Sequence, residues 1–340
     1  MRHRQVTKFI LNALLSTNKK QLHGSLRECC KDSLEKNMNK IIVVGSSNMD
    51  MVVKTDRLPR PGETILGGSF LMNPGGKGAN QAVTIARLGG DVLFITKLGS
   101  DLLGKQLQEG FGKDKIPLQG VLKDEDIPTG VALINVDRKG ENCIAVAPGS
   151  NWTLSAADID TKQQYFQSST FLLMQLEIPL QTVEHTIAMA KKHQMKTVLN
   201  PAPATQLSSQ LLKGLFAITP NETEAEILTG IKIADEITAA QAAQKLRDMG
   251  IENVIITLGK KGAFLHNDEF NMLIPAPKAN VIDTTAAGDV FNGALVVALA
   301  ENMTIKEAVE FACKAASLSV TKMGAQSSIP YREEVNKHFF

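Results

Sequence analysis

The chain has 340 residues, of which 43% are hydrophobic and 21% charged, and its net charge is only +2. These are the proportions of a soluble globular protein able to bury a sizeable core. They give no polycationic case for nucleic acid, and no apolar stretch reaches the length of about 18 residues that a membrane helix needs. The length predicts roughly two domains of about 150 residues each, or one large α/β domain with an insertion.

The first 40 residues carry nine Lys/Arg against three Asp/Glu. A basic, acid-poor leader is one reading. The plainer one is a disordered or dispensable extension over 1–38, with Met38 as an alternative start and the folded domain at 39–340. Cys29, Cys30, Cys143 and Cys313 lack both metal-ligand and disulfide-framework spacing, which predicts a reducing, cytoplasmic setting. The scattered histidines argue against a structural zinc site.

From Lys40 onward, strand-like apolar runs alternate with helical stretches. Ile41–Gly45, Val92–Leu98, Phe171–Leu176, Thr197–Leu199, Phe216–Ile218 and Val254–Thr257 predict buried parallel strands. Ala79–Leu88, Leu180–His193, Thr223–Leu228 and Ala239–Met249 have helical spacing between them. The expected fold is therefore α/β, a doubly wound, mostly parallel sheet flanked by helices. Met51–Met72 and Gly130–Ala147 break the alternation with short half-polar strands and turn glycines. They predict a small inserted antiparallel β-sheet lid, built from segments 51–72 and 117–148.

Strand ends are where such sheets bind ligands. After the first strand come Asn48 and Asp50, two apart and so facing one way if extended, an amide and a carboxylate suited to sugar hydroxyls. Pro74-Gly75-Gly76-Lys77-Gly78-Ala79-Asn80-Gln81 allows close backbone approach, with Lys77 and Asn80 as directional donors. Gly99–Gln106 nearly spells a phosphate-binding P-loop, but Gln106 stands where a Mg²⁺-binding hydroxyl is required, so an ordinary strand-to-helix turn is predicted. Gln175-Leu176-Glu177 places a further carboxylate at the rim. Asn221 and Glu224 open a helix with spacing that suits water-mediated Mg²⁺ beside phosphates. Thr257-Leu258-Gly259-Lys260-Lys261-Gly262 is a possible nucleotide cradle.

Asp283-Thr284-Thr285-Ala286-Ala287-Gly288-Asp289 precedes an apolar helical run. Small residues at a helix start expose N–H groups to an anion, which the dipole also favours. A carboxylate placed there is costly unless it accepts a proton from an attacking hydroxyl. An ordinary helix cap is the alternative for the heptad taken alone.

In this order, these motifs resemble the ribokinase/PfkB family of carbohydrate kinases from about Lys40 to Phe340. The resemblance rests on the glycine loop 75–81, the heptad 283–289, Asn48-Met49-Asp50, Gln175–Glu177, Asn200–Ala204 and Gly324–Ser328. It implies ATP-dependent phosphorylation of D-ribose at the 5-hydroxyl. It assigns Asp289 as base and the amides of Ala286, Ala287, Gly288 and Asp289 as anion hole. Asn48, Asp50, Gly76, Lys77, Asn80 and Glu177 become sugar contacts; Asn221, Thr257, Gly259, Gly262, Gly288 and Cys313 become nucleotide contacts, with Glu224 near Mg²⁺. It further implies K⁺ activation at Asp283, Thr285, Ser319, Lys322, Gly324 and Ser328, several through backbone carbonyls, and a homodimer joined through the lid sheets. Ala286 stands where many relatives carry Gly, which a methyl tolerates at negative φ. A kinase for deoxyribose or another furanose, and a sugar-binding regulator without catalysis, are the alternatives. An oxidoreductase would need a glycine fingerprint where Gly45-Ser46-Ser47-Asn48 stands.

Overall fold

Ile41-Ile42-Val43-Val44 has no polar side chain on either face, and such a strand is stable only with both faces covered. In the computed structural model, which describes residues 40–340, it forms β1 (Ile41–Val44), buried throughout. The expected extension at 1–38 lies outside the described residues. β1 lies between β4 (Val92–Gly99) and β8 (Phe171–Met174), parallel to both. The sheet continues through β9 (Lys196–Leu199), β10 (Ala217–Ile218) and β11 (Asn253–Thr257) on one side. All of these pairings are parallel. A hairpin, β12 (Gly262–His266) and β13 (Asn271–Pro275), adds antiparallel strands beyond β11.

Residues on the two faces enter separate cores. Ile41, Val43, Phe171 and Leu173 pack under α1 (Lys77–Arg87) and α2 (Leu102–Lys113). Ile42, Val44, Leu172 and Met174 pack under α3 (Leu180–Lys192), α4 (Glu222–Thr229) and α5 (Glu236–Asp248). The first face also holds α6 (Ala287–Ala300), α7 (Ile305–Ser319) and α8 (Arg332–Phe339). Between Val290 and Ala300 every residue of α6 is buried, as expected of a helix apolar all round. It lies against α1 and α7, and this centrality fixes its N-terminus. The turn at Gly99 is an ordinary helix start, as expected. Asp101 caps α2 by accepting from Gly104 N at 2.8 Å and from Thr129 N at 2.8 Å.

The small sheet has the order β3 (Ser69–Gly75), β2 (Asn48–Lys54), β6 (Gly130–Val136), β7 (Asn142–Ala147). Its outer pairings are antiparallel and its central one, β2 with β6, is parallel. Within the range 117–148 assigned to the lid, β5 (Val121–Asp124) instead extends the main sheet beside β4. Its half-polar sequence suits an edge strand, which needs only partial cover. The lid strands leave the main body along one row: Asn48 is registered with both Gly75 and Gly130, and Val131 with Ala147. Asn151 clamps that row, accepting from Ser47 N at 2.8 Å and donating to Ser47 O at 3.0 Å and Asn48 Oδ1 at 2.7 Å.

Candidate active site

Because parallel strands end on one side, their C-terminal ends converge on the start of α6. Asp289, two residues into that helix, is 6% exposed. Its Oδ2 accepts from Asn80 Nδ2 at 2.9 Å and its Oδ1 from Gln81 Nε2 at 3.0 Å. Burial pushes its pKa above the ordinary range. Lys77 and the two amide donors work against that rise, while Glu177 adds to it. A desolvated carboxylate held by neutral donors is more basic than one in water, which is the requirement for a proton acceptor near neutral pH.

The glycine loop stands beside it. Gly76 sits at φ 87°, where a Cβ would meet Asn48 N and Ser47 Cα at 2.8 Å, so only glycine fits between the loop and β2. Glu177 pins this loop, accepting from Lys77 N at 3.0 Å and Ser46 Oγ at 2.5 Å. Burial opposes the Lys77 charge, but Asp289, Glu177 and Glu224 outweigh it and hold its pKa above the usual lysine value. Asp50 faces the same group of acids. Burial, then Glu177 and Asp289, push its pKa up to about 7. Asn48 is buried with its oxygen committed to Asn151. The Asn80 Oδ1 atom is buried without a protein partner, an acceptor that a ligand hydroxyl would satisfy.

On the other side of Asp289 lies a cleft of about 220 Å³, lined by Lys77, Asn221, Glu224, Thr257 and the segment 286–289. Asn221 and Glu224 form a reciprocal cap on α4, Asn221 N donating to Glu224 Oε2 at 2.9 Å and Glu224 N to Asn221 Oδ1 at 2.8 Å. Burial raises the Glu224 pKa as well. The structure brings Gly288 to the cleft surface, with open space beyond its Cα. The N–H groups of Gly288 and Asp289 fall in the first turn of α6, where no helical carbonyl is available to them. Ala287 N, by contrast, is engaged by Thr284 O at 3.2 Å.

Two expectations need correction. Ala286 does not take negative φ: it stands at φ 61°, ψ 6°, left-handed, as the residue that starts α6. That conformation brings its methyl group towards the next carbonyl at a cost of about 1–2 kcal/mol. Ala286→Gly is therefore expected to stabilise the fold by roughly 0.5–1 kcal/mol, the strain relieved less the freedom gained by the unfolded chain. A melting midpoint that stays put or falls would show that the strain is absent. Cys313 is the second. It lies on the buried face of α7, 4% exposed, with its thiol pushed up to about 12 mainly by burial, and it does not line the cleft. Gly259 and Gly262 shape the β11–β12 turn at φ 53° and 113°, next to Thr257, rather than the cleft wall itself.

The loops expected to hold a monovalent cation meet through Asp283. It accepts from Thr285 N at 2.9 Å, Thr285 Oγ1 at 2.6 Å and Gly324 N at 2.8 Å. Burial opposes its charge, yet these donors keep its pKa low. The Lys322 ammonium is turned to Glu334 at 2.6 Å, Ser319 O accepts from Lys322 N at 3.1 Å, and Ser328 is buried. Back at the cleft beside Asp289, three residues that the sequence did not assign, Asn200, Thr219 and Asn292, also line its wall.

The chain matches the description "pfkB family carbohydrate kinase" over residues 38–332. It belongs to the pfkB family of carbohydrate kinases. A ribokinase of Haemophilus influenzae is 47% identical over 294 residues, covering 86% of this chain and 96% of that protein. A deoxyribokinase of Salmonella typhi is 36% identical, covering 88% and 98%. The structure of an Arabidopsis thaliana ribokinase complexed with ribose and ATP superimposes with a TM-score of 0.82 at 33% identity, over 88% of this chain and 98% of that one. At the start of α6 a buried carboxylate, Asp289, stands in the same first turn as the N–H groups that face the cleft.

Proposed function

We infer that this chain transfers the terminal phosphoryl group of ATP to the 5-hydroxyl of D-ribose, giving D-ribose 5-phosphate. The observation that carries the reading is Asp289. It is buried between sugar-type polar groups on one side and first-turn N–H groups on the other. The likeness to the ribokinases of Haemophilus influenzae and Arabidopsis thaliana supports ribose and ATP as the substrates.

Asp289 takes the hydroxyl proton as the oxygen attacks phosphorus. The N–H groups at the start of α6 receive the charge that builds on the transferring group, a preorganised stabilisation worth about 3 kcal/mol for a single donor. Lys77 adds a positive charge between acceptor and donor. Asp50, Asn48, Asn80, Gly76 and Glu177 hold the sugar or the loop that covers it. Asn221 and Thr257 face the nucleotide, with Gly259 and Gly262 shaping the turn beside it.

Two metal ions fit the residues present. Glu224 is a buried carboxylate with a raised pKa on the cleft wall, and a Mg²⁺ carried by the triphosphate would relieve its burial through water. Mg²⁺ supplies charge neutralisation of the phosphates. For K⁺, the low-pKa carboxylate of Asp283 joins the 283–285 and 324 loops. Backbone carbonyls of Thr285, Ser319, Lys322, Gly324 and Ser328 would supply the further oxygen donors, since the Lys322 ammonium is committed elsewhere. Replacing K⁺ by tetramethylammonium is expected to lower kcat severely, measured with ribose and Mg-ATP saturating. Unchanged rates would remove the cation site.

The lid also suggests a second copy. Phe70, Met72 and Leu133 lie on one face of it and are 58%, 40% and 50% exposed. Identical apolar faces are self-complementary about a twofold axis. Sedimentation should give the mass of two chains for the wild type and of one for Leu133→Asp. A monomeric wild type would end that proposal. The free thiols Cys143 and Cys313 suit a cytoplasmic location, and among the described residues no helix is long and apolar enough to cross a membrane.

A panel of ribose, deoxyribose, fructose and adenosine with Mg-ATP tests the function itself. Ribose is expected to show the highest kcat/KM. The similarity to the Salmonella typhi deoxyribokinase makes deoxyribose the second reading, and a higher kcat/KM with deoxyribose would establish it.

A further inference from the structure

Beneath Asp289 the strand ends carry polar side chains where a core would normally be apolar. β8 is followed by Gln175, β9 by Asn200 and β10 by Thr219, and none of the three is more than 6% exposed. Gln81 on α1 and Asn292 on α6 are equally buried. Together they form one connected chain of hydrogen bonds. Gln175 Nε2 donates to Gln81 Oε1 at 2.5 Å. Gln81 Nε2 donates one hydrogen to Asp289 Oδ1 at 3.0 Å and the other to Asn200 Oδ1 at 3.1 Å. Asn200 Nδ2 reaches Thr219 O at 3.3 Å. Thr219 Oγ1 donates to Asn292 Oδ1 at 2.6 Å, and Asn292 Nδ2 to Gly288 O at 2.8 Å. The chain thus begins on the carboxylate of Asp289 and returns to the carbonyl of its neighbour.

Its polarity is fixed at one end. An ionised carboxylate only accepts, so Gln81 must present its nitrogen to Asp289 and its oxygen away from it. Gln175 meets that oxygen with a donor, which locks the amide in this orientation and polarises it toward Asp289. Space has been reserved for the arrangement. A Cβ on Gly45 would stand 2.0 Å from Gln175 Oε1, and one on Gly293 would stand 2.6 Å from Thr84, holding α1 away from α6.

We propose that Gln81 and Gln175 are positioning residues for the phosphoryl-transfer reaction: two amides in series that hold the Asp289 carboxylate in place and keep it ionised for proton abstraction. This rests on Asp289 acting as the base. The charged groups facing Asp289 are Lys77 from α1, Glu177 from the loop after β8, Glu224 from α4 and Asp50 from β2. Against the three nearby acids, Lys77 is the one cationic counterweight among these groups, and the Gln81 donor adds to it without adding charge.

The test is the pH profile of kcat with ribose and Mg-ATP saturating. In Gln81→Met, which nearly preserves volume, Asp289 loses a donor and binds its proton more tightly. Its kcat is expected to fall at least tenfold at pH 6 and to recover to within about threefold of wild type at pH 9. Gln175→Asn keeps the polar core but withdraws the locking donor, and should show the same pattern more weakly. It also serves as the reporter if Gln81→Met proves too unstable to purify. KM for ATP should stay unchanged in both. A loss of equal size at pH 6 and pH 9, or no loss at all, overturns the positioning role and leaves the amides as core packing. Failure of the underlying reading looks different, because the wild type itself would then show no ribose-dependent ADP formation, or Asp289→Asn would retain it.

Discussion

Asp289→Asn is expected to lower kcat for ribose phosphorylation by roughly 10²–10⁴-fold, the usual contribution of a positioned general base. The replacement keeps the shape of the side chain and one acceptor. Either Asn80 or Gln81 then loses its partner, so the stability change should stay within about 1–3 kcal/mol. Ribose binding, measured by calorimetry without nucleotide, should survive. The wild type should gain activity as pH rises through an acid limb displaced above the ordinary carboxylate range, because burial raises the pKa of the group that must be ionised. In the Asn variant that limb disappears. Turnover near the wild-type rate would remove Asp289 from the chemistry.

Asp50→Asn should separate binding from stability. Loss of a charged acceptor to sugar hydroxyls corresponds to about 1.5–3 kcal/mol, or roughly 10–150-fold weaker ribose binding. The ligand-free fold should respond in the opposite sense. Burial beside Glu177 and Asp289 raises this carboxyl from 3.8 to about 7. The unfolded chain therefore ionises first, so the wild type pays nothing below the lower value and loses stability progressively as pH climbs to the upper one. The whole displacement corresponds to on the order of 4 kcal/mol as a ceiling. Wild type and Asp50→Asn should melt closer together at pH 5 than at pH 8, with the variant the more stable at pH 8. A variant less stable at pH 8 would contradict the burial argument. An enzyme that holds such a group ionised stores unfavourable energy that a sugar's hydroxyls release on binding.

The parallel core was readable because its strands are apolar on both faces, a pattern no surface strand needs. β5 was not readable as part of that sheet, since Val121-Leu122-Lys123-Asp124 joins two apolar residues to two charged ones with no buried run, and only its partner β4 decides where it goes. Site residues contiguous in sequence were recognised from local chemistry: the glycine loop, the heptad, and the Asn221/Glu224 cap. Gln81 and Asn200 stand inside recognised motifs, but their roles, like those of Thr219 and Asn292, were not legible, because their partners lie far off in the chain; Gln81 and Asp289 are separated by 208 residues. One signal was available. Gln175 and Thr219 each follow a fully apolar strand directly, and Asn200 follows the buried pair Val198-Leu199, which marks them as buried polar groups in need of partners. The left-handed Ala286 was missed for the opposite reason, since a residue with a Cβ gives no hint of positive φ.

The single row along which the lid joins the body has a mechanical consequence. Asn48, Gly75 and Gly130 lie on it, and Asp50 and Gly76 lie within two residues of it. A plate rooted on one line behaves as a lever whose axle is that line. The seven-residue strand β2 extends roughly 20 Å from it, so a modest tilt sweeps the far end through several ångströms while the groups at the axle scarcely shift. A ligand seated at the axle would keep its contacts through such a tilt. Travel of the lid edge would then leave the groups at the axle in place, and a second copy gripping that edge would restrain the sweep without moving them.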